Sequence, residues 1–317
     1  LTTRIDILLA TYNGARFLPE QLQSLLGQTH SDWRLIVRDD GSSDRSRELV
    51  GEWARDHGVE CEMLDDGLGN IGACASFGKL LEATDAPYFA CCDQDDVWLP
   101  EKLGIMLKAV RTLETPNGAQ TPLLAYSDLV LVDGELNRIA GSFRQHCSIA
   151  SIPSSLPLRR LLVHNVVTGC ATLGNNTLAR LAAPIPEGTR MHDWWLALVA
   201  AEFGRLIDVP VQTALYRQHG RNTLGAARLG TAGALSRFAA EPLAVLKTRA
   251  AIIEGEKRQA RAFHDRFLTR LSDTSREIAR GYGYLDERGF LARKAFVIRN
   301  GLKRHNLLSQ LTFLATV

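Results

Sequence analysis

Over its first hundred residues the chain alternates short, almost wholly apolar runs with longer stretches whose apolar side chains return every three or four positions. RIDILLATYN, WRLIVRDD, VECEMLDDG and PYFACCD read as strands. Between them LPEQLQSLLGQ, with Leu18, Leu22, Leu25 and Leu26 at helical spacing, RSRELVGEWARDHG and ACASFGKLLEATDA read as helices. Such alternation predicts an α/β domain with a mostly parallel sheet flanked by helices. After LPEKLGIMLKAVRTL the order loosens: PLLAYSDLVLVDGEL reads as strand and turn, SIPSSLPLRRLLVHNVVTGCATLG as loop, helix and strand, and DVPVQTALYRQH as a late strand. From residue 226 the pattern is almost wholly helical and rich in Arg and Lys, which places a boundary between a domain at 1–225 and a helical, basic, amphipathic segment at 226–317.

Composition adds limits. The chain has 317 residues, 45% hydrophobic and 23% charged, enough for a sizeable core, and its net charge of +2 gives no argument for a nucleic-acid partner. Six cysteines fall mostly in apolar segments without a CxxC pair, which favours a reducing, cytoplasmic setting over a disulfide framework. No apolar run approaches the roughly 20 residues of a membrane span, and the first strand begins without a basic-then-apolar leader.

Three of the predicted strands end in polar or acidic clusters: ATYN (10–13), DDGSSD (39–44) and DQDD (93–96). Ligands of open α/β sheets gather at the carboxyl ends of strands, so the clusters should meet in one crevice. That many carboxylates repel one another unless a cation or hydrogen-bond donors neutralise them. Oxygen-only ligands select a hard ion, Mg2+ or Mn2+, of the kind that also meets phosphates. A plainer account competes for each cluster: DDGSSD as a turn and helix cap, and DQDD as a solvated loop whose Asp95 or Asp96 caps the helix beginning near Pro100.

GLGNIG (Gly67, Gly69, Gly72) matches a dinucleotide fingerprint, with Asp93 about 20 residues further on. An NAD-dependent oxidoreductase is therefore a second reading. Against it, the preceding strand is polar and the acidic partner stands among two further carboxylates, charge that a nicotinamide cofactor does not need. The glycines then form a turn near the ligand. A non-catalytic saccharide- or lipid-binding module is a third reading.

With ILLATYNG, LIVRDDGSSD, NIG, CCDQDDVWLPEKL, TGCATLGN, HDWW and YRQHGRNT in this order, residues 4 to 225 resemble the inverting nucleotide-sugar glycosyltransferases of family 2, which have the Rossmann-like GT-A fold. HDWW and YRQHG are most similar to bacterial rhamnosyltransferase-like members, which build surface polysaccharide from dTDP-rhamnose. The resemblance implies a dTDP- or UDP-sugar donor and a saccharide or lipid-linked saccharide acceptor. It implies that Thr11, Tyr12, Asn13, Asp39, Asp40, Asn70, Gly72, Asp93 and Gln94 bind the nucleotide sugar, with Asp39 on the base. Asp93 and Asp95 correspond to the DXD motif that holds Mn2+ or Mg2+, with Asp96 in support, and His219 stands where some relatives place a metal ligand. Arg217 and Arg221 read as phosphate contacts or, equally, as surface charges.

Asp193 in RMHDWWLALVAAEFG occupies the place of the family's catalytic base, with His192 as its competitor. It would take the proton of the acceptor hydroxyl as that oxygen attacks opposite the nucleotide. Read from the residues alone, Asp193 is equally a helix cap, with Trp194 and Trp195 filling core. One departure stands out: where many relatives carry an Arg after the NIG glycine, this chain has Ala73 and Ser76, so a phosphate contact there must come from elsewhere.

The helices beyond residue 226, with basic faces and apolar stripes, fit the inner face of a cell membrane, packing on the catalytic domain, or a second subunit in a homo-oligomer. No nucleic-acid recognition motif accompanies them.

Overall fold

The computed structural model describes residues 3–114, 121–149, 157–220, 242–304 and 307–317. These fall into two compact units, one drawn from Leu1–Arg144, Val167–Ile185 and Met191–Gly225, the other from Gln145–Val166, Pro186–Arg190 and Ala226–Val317. The second unit is therefore not confined to the chain beyond residue 225. Residues 145–166 join it because Arg159 and Arg160 donate to the carbonyls of Asn300 and Lys303, and residues 186–190 because the backbone N–H of Arg190 donates to Gln259.

In chain order the elements are β1 (Ile5–Thr11), α1 (Leu18–Leu26), β2 (Trp33–Asp39), α2 (Ser46–Asp56), β3 (Cys61–Met63), α3 (Ala73–Ala83), β4 (Tyr88–Asp93) and β5 (Val97–Trp98). There follow α4 (Lys102–Thr112), β6 (Leu123–Val132), β7 (Arg138–Ala140), α5 (Phe143–His146), α6 (Pro157–Leu161), β8 (Thr172–Asn175), α7 (Asn176–Ala182), α8 (His192–Phe203) and β9 (Arg205–Arg217). The last helices are α9 (Pro242–Phe267), α10 (Asp273–Gly283), α11 (Phe290–Arg299) and α12 (Leu307–Thr316).

The first unit is a sheet of order β3-β2-β1-β4-β8-β6-β9-β5, with β7 beside β6. Parallel pairing dominates: β1 lies parallel to both β2 and β4, β2 to β3, and β6 to β9. The short β8 runs antiparallel between β4 and β6. Helices cover the central strands, so β1 and β4 are apolar at nearly every position instead of alternating. Leu18, Leu22 and Leu25, one turn apart on α1, join Ile5, Ile7, Leu9, Leu35 and Val37 in the core. α8 is buried from His192 to Ala200 on every face, which explains why its apolar residues show no helical periodicity.

Asp6 is the one acidic residue inside β1 and is fully buried. Its carboxylate accepts from Arg34 Nε at 2.7 Å and Nη2 at 3.1 Å, from Thr84 Oγ1 at 2.6 Å and from the N–H groups of Asp85 and Ala86 at 3.1 Å. These bonds tie β1 to β2 and to the turn leading into β4, and satisfy a charge that would otherwise be costly to bury.

β1 sits where the strand order changes direction, with Thr11 opposite Asp39 of β2 and Ala10 opposite Asp93 of β4. The three predicted clusters thus emerge side by side at one edge of the sheet, the place where α/β sheets form a crevice.

The second unit is helical. Phe263, Phe267, Tyr282, Leu285, Phe296, Val297 and Phe313 are buried within it. A buried ion pair runs through this core: Arg304 donates to Glu256 at 2.8 and 2.6 Å, and Tyr282 Oη donates to the same carboxylate at 2.8 Å. The bidentate geometry with a third donor is the arrangement in which a buried pair is tolerated.

Candidate active site

Asp39, at the end of β2, accepts from Thr11 Oγ1 at 2.9 Å, from Ser42 Oγ at 2.6 Å and from the Ser42 N–H at 2.9 Å. Asn13 has a φ of +48° and is locked by Ser42 Oγ on its N–H at 2.9 Å and by the Ser43 N–H on its side-chain oxygen at 2.8 Å. Tyr12 is half exposed at the tip. Gln94 grips its backbone in both directions, accepting from the Tyr12 N–H at 2.8 Å and donating to its carbonyl at 3.0 Å. The amide of Gln94, expected on the nucleotide sugar, is thus committed to holding the Tyr12 loop.

Asp40 also differs from expectation. It is buried and accepts from Arg38 Nη1 at 2.6 Å and from the N–H groups of Ile71 and Gly72 at 2.8 and 2.9 Å. Arg38 reaches on to Asp66 at 2.8 Å, the Gly69 carbonyl at 3.0 Å and Ser76 Oγ at 2.9 Å. Asp40 therefore anchors the 66–72 loop to the end of β2 from below. Gly41, with a φ of +80°, lets that loop close in: a Cβ there would stand 3.3 Å from the Asn70 nitrogen.

The same geometry bears on GLGNIG. In a dinucleotide fold the amides at this helix start meet the pyrophosphate. Here those of Ile71 and Gly72 are already taken by Asp40, a carboxylate of this chain. Ser76, which stands near where many relatives carry an Arg, is buried and accepts from Arg38, whose guanidinium is held among Asp40, Asp66 and Gly69.

β4 delivers the carboxylates. Burial, then the charges of Asp96, Asp95 and Asp193, push the Asp93 carboxyl well above its ordinary range. Asp96 is fully buried and is pushed up to about 7, first by burial and then by Asp95. It accepts from the Arg217 N–H at 3.1 Å, and the Cys170 thiol lies close by. It does not cap a helix: α4 begins after Glu101, without a side-chain cap, and the chain between forms β5, which pairs with β9. Ligand atoms of Asp93, Asp96 and Cys170 lie within 4.8 Å of one another. The Cys170 thiol is held protonated by burial, and sulfur is a poor match for hard ions.

Asp93 and Asp95 have the donor chemistry Mg2+ and Mn2+ take, and the mutual repulsion that raises Asp93 is what a divalent cation would relieve. His219 Nε2 lies 2.8 Å from Asp95 Oδ2, and its ring stacks on Phe17 at 4.5 Å. Arg217, expected on phosphate, is 2% exposed. It donates to the carbonyls of Asp95 at 2.8 Å and Gly134 at 2.7 Å and to Glu20 at 3.3 Å. Its role is to fasten β9 to the 93–96 turn. Arg221 lies outside the described residues.

Asp193 stands in the first turn of α8, where the helix dipole favours an anion. Its Oδ1 accepts from the Trp194 N–H at 2.5 Å. Its charge is close enough to bear on Asp93. His192 competes poorly as a base: burial lowers its pKa to about 3, its ring stacks on Phe77 at 3.7 Å, and both ring nitrogens lack a hydrogen-bond partner among the described residues. Trp195 is buried and donates through Nε1 to the Ala182 carbonyl at 2.9 Å, a core role.

Asn70 is exposed on the 66–72 loop and Gly72 has a φ of +84° at the start of α3. The buried Lys102 was not foreseen: its ammonium lies over the Trp98 ring at 4.3 Å, donates to the Cys170 carbonyl, and acts on Asp93 and Asp96. A signal for it exists, since Lys102 heads the stripe of Met106 and Val110 and so belongs to the buried side of α4.

Residues 6–117 match the family model described as Glycosyl transferase family 2. An uncharacterized glycosyltransferase of Nostoc sp. is 34% identical over 115 residues, which are 34% of this chain and 33% of the relative, so the match spans only about a third of that protein. Among solved structures, Staphylococcus aureus TarS 1-349 superposes with a TM-score of 0.54 at 16% identity, covering 94% of this chain and 92% of that one. The mannosyltransferase PcManGT of Pyrobaculum calidifontis, in complex with GDP-Man and Mn2+, gives 0.55 at 14% identity, over 99% of this chain and 83% of that one. The fold is that of the GT-A glycosyltransferases.

Proposed function

We propose that this chain, which carries a glycosyltransferase family 2 domain over residues 6–117, is a metal-dependent inverting transferase that moves a sugar from a nucleoside diphosphate to a saccharide hydroxyl. The observation that carries the reading is that Asp93 and Asp95 stand at the end of β4, with the charge of Asp193, from the first turn of α8, bearing on Asp93. Solved structures of the same fold hold UDP-GlcNAc or GDP-Man with Mn2+. For this chain we infer a dTDP- or UDP-sugar, with rhamnose from dTDP-rhamnose favoured by HDWW and YRQHG.

The residues divide the work. Asp39, with Thr11, Tyr12 and Asn13, forms the polar rim that receives the nucleotide, and Asn70 and Gly72 face it from the loop that Asp40 anchors. A divalent cation on Asp93 and Asp95, with His219 adjoining, would neutralise the charge gathering on the diphosphate. Asp193 accepts the proton of the acceptor hydroxyl while that oxygen bonds to the anomeric carbon; the carbon–oxygen bond to the diphosphate breaks on the opposite face, inverting the centre.

A donor panel followed by nucleoside-diphosphate release, with and without Mn2+ and with Asp193→Asn, tests this. Release from dTDP-rhamnose that requires Mn2+ and is abolished by Asp193→Asn is the expected result. An absence of release with every donor would overturn the transferase reading, and reduction of NAD by the chain would restore its rival.

A further inference from the structure

From Arg288 to Val317 the sequence contains no Asp or Glu and six Lys or Arg residues. α11 lies in this stretch and has two distinct sides. Phe296 and Val297 are buried within the second unit. Leu291, Lys294, Ala295 and Ile298, spaced i, i+3, i+4 and i+7, share the opposite face. Leu291 is 77% exposed, Ile298 66%, and Phe290, at the helix start, 65%. Lys294 continues the face onto α12 by donating to the Leu314 carbonyl, and Leu311, one turn before Leu314, is 56% exposed.

Large apolar side chains this exposed, on a helix whose other side is already packed, mark a contact surface. Cations outnumber acids beside them, with the exposed Glu287 next to Arg288 as the exception. Arg299 and Lys303 are exposed and carry no ion pair among the described residues, while Arg288 lies over the Phe296 ring at 4.6 Å and Lys294 over the Phe290 ring at 4.2 Å. Of the two nearby acids, Asp286 is taken up by Lys257 and Arg293, and Glu287 is exposed beside Arg288. No helix among the described residues is long and apolar enough to cross a membrane.

We propose that this face of α11, with Leu311 of α12, is a docking surface for an anionic lipid bilayer. Phe290, Leu291, Ile298 and Leu311 enter the boundary between headgroups and acyl chains, and Arg288, Arg299 and Lys303 meet lipid phosphates. An apolar face bordered chiefly by cations, in a stretch from 288 to 317 without Asp or Glu, fits a surface that is uniformly negative. The exposed phenylalanine and leucines supply the apolar anchor that basic residues by themselves lack.

The test is sedimentation of the full chain with vesicles of phosphatidylcholine, and with an equal mixture of phosphatidylcholine and phosphatidylglycerol. Binding is expected to the mixture only and to weaken as salt rises. Arg299→Gln with Lys303→Gln should lower partitioning roughly 25-fold at low salt, about fivefold per cation. Leu291→Ser with Ile298→Ser should lower it by at least about tenfold. Both pairs are exposed, so thermal melts matching the parent chain verify that the fold is intact. Equal binding to both vesicles, no binding to either, or partitioning unmoved by the two pairs of substitutions would overturn the proposal. So would a dimer in solution that the Leu291→Ser and Ile298→Ser pair dissolves while vesicle binding persists. No donor or acceptor enters the assay, so its failure leaves the transferase reading standing, and the reverse.

Discussion

Replacing Asp40 with alanine tests whether the 66–72 loop is held from beneath. The carboxylate is 4% exposed and accepts three bonds, from Arg38 and from the N–H groups of Ile71 and Gly72. Alanine leaves two backbone donors without partners, each costing about 1–3 kcal/mol. Arg38 keeps Asp66 and Gly69, so its charge is not stranded. The expected loss is about 3–5 kcal/mol, the range for breaking a buried charged network. Asp40→Asn preserves the shape and one acceptor and should fall between the two. Urea unfolding followed by tryptophan emission suits the question, because Trp33, Trp53, Trp98, Trp194 and Trp195, the five tryptophans of the chain, all belong to the first unit. A shift of the midpoint at constant slope gives the loss directly. Donor affinity should fall in parallel, since Asn70 and Gly72 lose their support. A loss under about 1 kcal/mol for Asp40→Ala, or Asp40→Asn indistinguishable from the parent, would refute the anchoring role.

Arg217→Met should lower stability by about 2–4 kcal/mol by orphaning the carbonyls of Asp95 and Gly134; loss of donor affinity at full stability would instead return Arg217 to the phosphates. His192 should remain neutral through pH 4 in an NMR titration, given its pKa of about 3. Because the unfolded chain takes up that proton near pH 6.5 and the folded chain only near pH 3, His192 removes up to about 1.4 kcal/mol of stability for each pH unit between those two values, full stability lying above 6.5. Asp6 works in the same direction at lower pH: against the upward pull of burial, hydrogen bonds from Arg34, Thr84 and Ala86 hold its carboxyl below the ordinary value. Its contribution is complete above about pH 4 and is lost as pH falls further, so Asp6→Asn should flatten the acid end of the stability curve.

The strand–helix alternation was legible because the buried strands are continuously apolar and the helices keep their period. The edge at which Thr11, Asp39 and Asp93 meet followed from parallel pairing, a topological rule that needs no side-chain detail. Who holds whom was not legible. Gln94, Asp40 and Arg217 have the chemistry of ligand contacts, yet their partners are backbone groups brought near only by folding, 82, 31 and 122 residues away for Tyr12, Ile71 and the Asp95 carbonyl respectively. The capping reading of Asp96 fails for a related reason: between the acidic turn and α4 lies β5, which pairs with a strand from far along the chain. Lys102 carried a weak signal, a charge standing on the apolar face of α4.

That distance between the acidic turn and its fastening has a bearing on how the protein is born. Asp95 and Asp96 emerge early from the ribosome, but the residue that secures their turn, Arg217, and the strand that pairs with Val97 and Trp98 emerge more than a hundred residues later. Contacts of such separation form late, since the intervening loop must close before they reward it. The nascent chain can thus complete β1 to β4 while its acidic turn is still loose, and the turn is fastened only when β9 arrives.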